Sequence, residues 1–461
     1  MAGIVKYGSY VPFNRLTRKS IGAGKGERAV ASFDEDSVSM AVEAAREAMH
    51  AGPAVDALLF ATTSPPYAEK LNGATVHAAL QLPGKVRSLD LGTCSRMGLG
   101  ALMAGLDVAA AGKRALVCAG DVMIGAPGGG RESASGDGAA AFVTGPDSES
   151  AAVLIGSASA TAEILDVWRL PEDRFAKSWE ERFGADTLAP LVADTCARAL
   201  ADAKVQPSEL SVVIADAANA RAVAGLPKGL KLRPEQMADP LADGVGRTGV
   251  AHALLTLARA LDSAKTGDRI LVLSLADGCD AAVFEVTNRI AAARPKHSVD
   301  AWIASKRSDV AYNTYLKWRG ILPFEPPRRP DPERPAAPPS ARHSSWKLGF
   351  VGSRCVACGT GHLPPQRVCI QCSAVDQMRD EDFADKRCKI ATYTLDHLAY
   401  SLNPPTVAGV IDFEGGGRVT CEVTDVDPAR VKIGDELEMS FRRLYTGQGV
   451  HNYFWKARPT R

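Results

Sequence analysis

The chain has almost no excess charge of either sign: 54 Lys and Arg face 53 Asp and Glu, for a formal net charge of +1. So even a balance creates no long-range field toward nucleic acid or an anionic membrane surface. Nor is there an apolar run near the ~20 residues that a membrane-spanning helix needs. The opening MAGIVKYGSYVPF has no basic stretch leading into an apolar one, so no secretory signal is expected. Ten cysteines in 461 residues fall short of a disulfide scaffold and fit a reducing cytoplasm. These absences predict a cytoplasmic protein with no nucleic-acid and no membrane partner. Its 46% apolar and 23% charged content is that of an ordinary globular protein, long enough for two or three domains.

Four of the cysteines are not scattered. Cys355, Cys358, Cys369 and Cys372 form C-x2-C-x10-C-x2-C within CVACGTGHLPPQRVCIQC. Two such knuckles supply the four soft ligands of a tetrahedral, closed structural Zn²⁺ site. Four unrelated thiols, or two disulfides, are the competing readings. His362, between the knuckles, reads as an exposed loop residue beside a complete cysteine set.

Composition divides the chain. Residues 1–298 alternate strand-like and helix-like segments, and runs such as RALVCAG and RILVLSL are continuously apolar, as when helices cover both faces of a sheet. The alternation predicts α/β layers with a largely parallel sheet in each of two halves, 1–150 and 151–298. Residues 299–345 read as an amphipathic helix, carrying Tyr312, Tyr315, Leu316 and Trp318, and then a proline-rich linker that cannot carry a helix. Its Arg328-Arg329 pair reads as solubilising. Residues 346–385 hold the cysteine knuckles. Residues 386–461 read as about five strands, with a hairpin at GVIDFEGGGRVTCEVT, which suggests a small OB-type barrel.

Cys94 lies in SLDLGTCSRMGLGALMAGLDVAAAG, where a buried strand ends near Leu91 and a long helix begins near Ser95. Unpaired N–H groups and the dipole at a helix start favour a thiolate, so a lowered thiol pKa and nucleophilic chemistry are expected. A buried structural cysteine is the other reading, and it is the better one for Cys118 and Cys196.

These stretches, with DEDSVSMAVEAAREAM (34–49), ATTSPPYAEKL (61–71) and GDGAAAF (136–142), resemble the thiolase superfamily over residues 1–298, on the branch of hydroxymethylglutaryl-CoA synthase and β-ketoacyl-ACP synthase III. The resemblance implies a five-layer α-β-α-β-α sandwich of two pseudo-repeats, a homodimer, and Cys94 as the nucleophile. Residues 308–461 resemble the zinc-ribbon/OB-fold proteins that accompany acyl-CoA thiolases and synthases. The chain departs from the family's acid–base set. Its glutamate position matches Thr63, its histidine position Asp216, and its asparagine falls near Val245. A threonine cannot serve as a general base near neutral pH. Asp216 could act as a base, orient a donor, or cap a helix near Asn219, and His252 could point inward. His77 and His252 otherwise read as structural histidines, and Cys279 is a weaker candidate for a second sulfur.

The expected function is an acyl-CoA-dependent acyltransferase that makes or breaks a carbon–carbon bond through a Cys94 thioester, with Asp216 and His252 as candidate partners, structural zinc, and a coenzyme A thioester as substrate. The alternatives are a degenerate scaffold or CoA-channelling subunit for a partner thiolase, and retro-aldol cleavage of an acyl-CoA. Nucleic-acid binding by the barrel is a third.

Overall fold

The computed structural model describes residues 2–325 and 334–461. Arg328-Arg329, in the proline-rich linker, lie outside the described residues. The chain divides into two compact units, Met1–Ala31 with Asp36–Gly73 and Gly84–Tyr312, and Ser32–Glu35 with Ala74–Pro83 and Asn313–Arg461.

The first unit is built on a nine-stranded sheet. Its strands are β1 (Ala2–Tyr10), β2 (Ala57–Ala61), β3 (Arg87–Leu91), β4 (Ala115–Asp121), β5 (Gly138–Pro146), β6 (Ala152–Thr161), β7 (Val212–Ala217), β8 (Arg269–Leu275) and β9 (Gly278–Val286). The order is β7-β8-β9-β6-β1-β5-β4-β2-β3. Two related halves meet where β1 bridges β6 at Gly3↔Val153 and Ile4↔Ala152. The outer strands are parallel, β3-β2-β4 on one side and β7-β8 on the other. The inner ones are antiparallel. That corrects the largely parallel sheets expected from apolar runs. Ala276 and Asp277 alone connect β8 to β9; a link that short closes a hairpin, whereas a parallel crossover needs a dozen residues or more. Continuous apolarity reports burial on both faces, not strand direction.

Four helices cover this sheet: α1 (Ser37–Met49), α2 (Met97–Ala110), α3 (Glu181–Ala203) and α4 (His252–Ser263). Asp36 starts α1 with a capping box, its carboxylate accepting from the Ser39 amide. Helix α2 packs tightly because it carries glycines. A Cβ on Gly98 would sit 1.8 Å from the Val250 carbonyl oxygen. Helix α3 lays Leu188, Val192, Cys196 and Leu200 on Leu271, Leu273 and Val283 of the second half-sheet.

In the second unit, strands Val351–Cys355, Gly361–His362 and Met378–Asp382 form a small sheet. A closed five-stranded barrel follows, ordered Cys388–Asp396, Thr406–Phe413, Arg418–Val423, Val450–Pro459, Glu436–Gly447. Rings of Phe350, Phe441 and Trp455 fill its core. A buried charge cluster, Arg442 with Glu35 and Asp425, and Lys456 with Asp34, belongs to the same unit.

Two expectations for residues 299–345 change. The amphipathic helix is two short helices, Val299–Ala304 and Tyr312–Trp318. The linker does carry a helix, Ala337–Arg342, with its prolines in the first turn. Those positions have no intrahelical N–H bond to lose, so proline is tolerated there. Among the described residues no helix is long and apolar enough to cross a membrane.

Candidate active site

Strand β3 ends at Leu91, and Gly92-Thr93 turn the chain before α2. Thr93 sits at φ +85°, a conformation costly for a β-branched residue. The following turn is held by amide bonds from Met97 to the Cys94 carbonyl and from Gly98 to that of Ser95. Cys94 is therefore presented, partly exposed, at the head of α2. Beside it, Arg96 forms a bidentate pair with Asp280, at 2.8 and 2.9 Å, and donates to the Asp277 carbonyl at 3.1 Å. This ties the helix start to the β8–β9 hairpin.

Cys94 lines a cavity of about 410 Å³ together with Thr63, Arg131, Arg169, Arg247 and Asp277. Asp166 and Trp168 also line it. The thiol pKa is not lowered, as the helix position suggested, but raised. Burial, and next the Asp277 carboxylate, push it up, and they outweigh the amide bonds from Arg96 and Met97 and the Arg96 charge. The helix effect is present and smaller than desolvation.

The expected partners lie behind this surface. Asp216, on β7, is buried and pairs with Arg247, Nε to Oδ1 at 2.6 Å and Nη2 to Oδ2 at 3.1 Å. Asn219 caps its own turn by accepting from the Arg221 amide. Arg247 also donates to the Ser95 hydroxyl at 2.8 Å. Its backbone bonds to Ala134 and Gly136, which sets it beside the segment bearing Arg131. His252, at the start of α4, is buried, with Nδ1 3.4 Å from the Thr248 amide. Burial holds its imidazole below the ordinary value while Asp216 opposes that shift. Neither Asp216 nor His252 is among the residues lining the cavity. Val245 is buried, and the residue that reaches the cavity is Arg247, two positions on.

Thr63 does line the cavity, resting on a carboxylate that sequence reasoning missed. Asp121, at the end of β4 and fully buried, accepts from the amides of Thr63, Ser64 and Val250 at 2.7, 3.1 and 2.9 Å. It also accepts from the hydroxyls of Thr62, Thr63 and Ser64. Six donors on one carboxylate fix two edges of the cavity. The only trace in the sequence is an aspartate ending an otherwise apolar strand. Arg131 and Arg247 were equally hidden, since neither position was singled out in the sequence.

Cys279 is fully buried in the α3 core, its thiol pushed up to about 12 chiefly by burial, and lies outside the cavity. His77 stands apart, its Nε2 3.2 Å from the Pro83 carbonyl. In the second unit, ligand atoms of Cys355, Cys358, Cys369 and Cys372 all lie within 4.8 Å of one another, with sulfur pairs at 3.7 and 3.4 Å. Tetrahedral Zn–S bonds of about 2.3 Å put sulfurs about 3.8 Å apart, so the four residues fit a closed zinc site. His362 is buried rather than exposed and lies outside this set.

Comparison with known proteins bears on the family and the fold. Residues 200–286 match the family described as 3-oxoacyl-[acyl-carrier-protein] synthase III, C terminal, and residues 382–442 match the ChsH2 C-terminal OB-fold domain. The chain is 30% identical to the hydroxymethylglutaryl-CoA synthase of Aeropyrum pernix over 342 residues, 70% of this chain and 95% of the relative. It is likewise 30% identical to that of Methanopyrus kandleri over 344 residues, 70% of this chain and 98% of the relative. Among solved structures, 3-oxoacyl-(acyl carrier protein) synthase III from Pseudomonas aeruginosa superposes with TM-score 0.57 at 22% identity, covering 62% of this chain and 98% of that one. A hydroxymethylglutaryl-CoA synthase complexed with CoA gives TM-score 0.59 at 18% identity, covering 68% and 89%. These likenesses establish the thiolase-like fold.

Proposed function

The chain belongs to the hydroxymethylglutaryl-CoA synthase family, and from that membership we propose that it is an acyl-CoA-dependent acyltransferase that carries the acyl group on Cys94. The observation that supports this most directly is the thiol at the head of α2, opening into the cavity beside Arg247. The Cys94 thiolate attacks the thioester carbonyl. A new C–S bond forms, the bond to coenzyme A breaks, and the departing CoA thiolate takes up the proton that Cys94 released. Arg247 is fixed by Asp216 and Ser95, and its Nη1 has no protein partner among the described residues. It is the cavity group best suited to stabilise the oxyanion, the task the family's histidine and asparagine would serve. Asp216 is then a positioning residue for Arg247.

Asp166 and Asp277 line the same cavity, each held above the usual carboxylate range first by burial. A raised carboxylate is suited to proton transfer at the acyl α-carbon, for condensation or for cleavage of a carbon–carbon bond. Zinc held by the four cysteines would be structural, since all four positions are filled by protein. Homodimeric assembly and a cytoplasmic location are part of the same proposal.

The test is acylation. Incubating the protein with a panel of mass-tagged acyl-CoAs and digesting it should place the tag on the Cys94 peptide, and Cys94→Ala should abolish it. No adduct across a broad panel refutes the nucleophile and favours a scaffold role.

A further inference from the structure

The cavity beside Cys94 is lined by three arginines, Arg131, Arg169 and Arg247. Only Arg247 has a carboxylate partner, Asp216. Arg169 donates to two backbone carbonyls, those of Asp173 and Thr63, at 3.2 and 3.4 Å. Arg131 has neither: its Nε is buried without a hydrogen-bond partner, and its guanidinium forms no ion pair among the described residues. The two carboxylates of the cavity, Asp166 and Asp277, form no ion pair with any of the three.

A partly buried guanidinium whose Nε is sealed from water without a partner loses that hydration with nothing in return, which costs free energy in a protein interior. Here that cost is increased by like charge. Burial first, and then the Arg247 and Arg169 charges, hold Arg131 below its ordinary value, with Asp121 the opposing influence. The short helix of Arg131, Gly130–Ala134, is anchored through the next residue, because Glu132 accepts from the Gly128 amide at 2.8 Å and from the Tyr312 hydroxyl at 2.9 Å. The fold thus holds a planar cation with no ion-pair partner and an unsatisfied Nε at the cavity wall. An arrangement of this kind is satisfied by an anion that brings its own acceptors.

Resting on the assignment of Cys94 as the acyl carrier, we propose that this enzyme takes acyl groups that themselves bear a carboxylate, bound at the far end of the acyl chain by Arg131 with Arg169 beside it. Arg247, already paired with Asp216, remains with the reacting carbonyl. The substrate class is a dicarboxylic acid mono-CoA thioester rather than a neutral acyl-CoA.

The phosphates of coenzyme A are the other anions that could meet these arginines, and the experiment separates them. In a Cys94→Ala background, which binds without turnover, calorimetry measures three ligands: succinyl-CoA, its neutral isostere 4-methylpentanoyl-CoA, and free CoA. We expect succinyl-CoA to bind roughly ten- to a hundred-fold tighter than the isostere, the range for a charge-assisted hydrogen-bonded pair. Arg131→Leu should remove that preference and leave the affinity for free CoA unchanged, and Arg131→Lys should keep part of it. The proposal is overturned if the starting protein shows no preference. It is equally overturned if Arg131→Leu weakens all three ligands alike, which would assign the arginine to the CoA phosphates. Failure of the underlying reading looks different: it is the absence of any adduct on Cys94, read in the unmodified protein.

Discussion

Replacing Asp121 by alanine tests the claim that one buried carboxylate holds two edges of the cavity. Six donors converge on it, three of them the backbone amides of Thr63, Ser64 and Val250. The three hydroxyls among the six can turn to other acceptors, but the amides cannot move without moving the chain. Each buried amide left without a partner costs about 1–3 kcal/mol, so three together set a range of about 3–9 kcal/mol. Water admitted to the space of the lost carboxylate would satisfy part of this. The expected loss is therefore near the lower end, about 3–5 kcal/mol, comparable with removal of one member of a buried ionic network. Asp121→Asn keeps the shape and one acceptor oxygen but turns an NH₂ toward donors, and should cost about half as much.

Urea unfolding of the full chain measures the total. Hydrogen exchange read by mass spectrometry locates it, since protection should fall in peptides containing residues 62–64 and 249–252 and stay unchanged in the barrel. Acylation of Cys94 should slow in the same variants, because Thr63 and Gly249 line its cavity. If Asp121→Ala unfolds within about 0.5 kcal/mol of the parent, the level of an ordinary surface substitution, and exchange at 62–64 is unaltered, the reasoning is wrong.

Two other expectations follow from the same structure. Because burial and the Asp277 charge raise the Cys94 thiol, its alkylation by iodoacetamide should rise with pH through an inflection above that of free cysteine. Removing the negative charge in Asp277→Asn should move the inflection down and speed alkylation at pH 7 by roughly a few-fold, within the tenfold that one pH unit represents; an unchanged or slower rate counts against the electrostatic account. The cysteine quartet should carry a single zinc ion per chain by elemental analysis, and cobalt substitution should give the absorption of tetrahedral thiolate ligation. Chelation should then unfold the ribbon. Metal-free protein in which the four thiols are oxidised in pairs would decide for disulfides.

The parts of this protein that sequence made legible are those written in local pattern. The C-x2-C spacing around Cys355 and Cys369 foretells the cluster itself, because two tight turns bring the four sulfurs within 4.8 Å of one another. The five barrel strands follow from alternation and glycine turns, and Cys94 was found from a strand-turn-helix junction. Local pattern misled where two local effects had to be weighed. The helix start does act on Cys94, yet burial and Asp277 decide its thiol, and neither could be seen along the chain. The prolines of 337–342 forbid a helix interior but permit a first turn.

What sequence by itself determined is therefore the family, the strand-turn-helix that presents the Cys94 thiol, and the four-cysteine cluster. Only tertiary structure decided what surrounds the thiol. Asp216 and Arg247 are 31 positions apart, and Arg247 and Ser95 are 152 apart. Asp121 reaches the Val250 amide across 129 positions. Charges and hydrogen bonds act through space over a few ångströms, so a group's partner is set by which strands and turns the fold places side by side. Nothing in the residues flanking Arg131, Asp121 or Asp216 records who stands opposite.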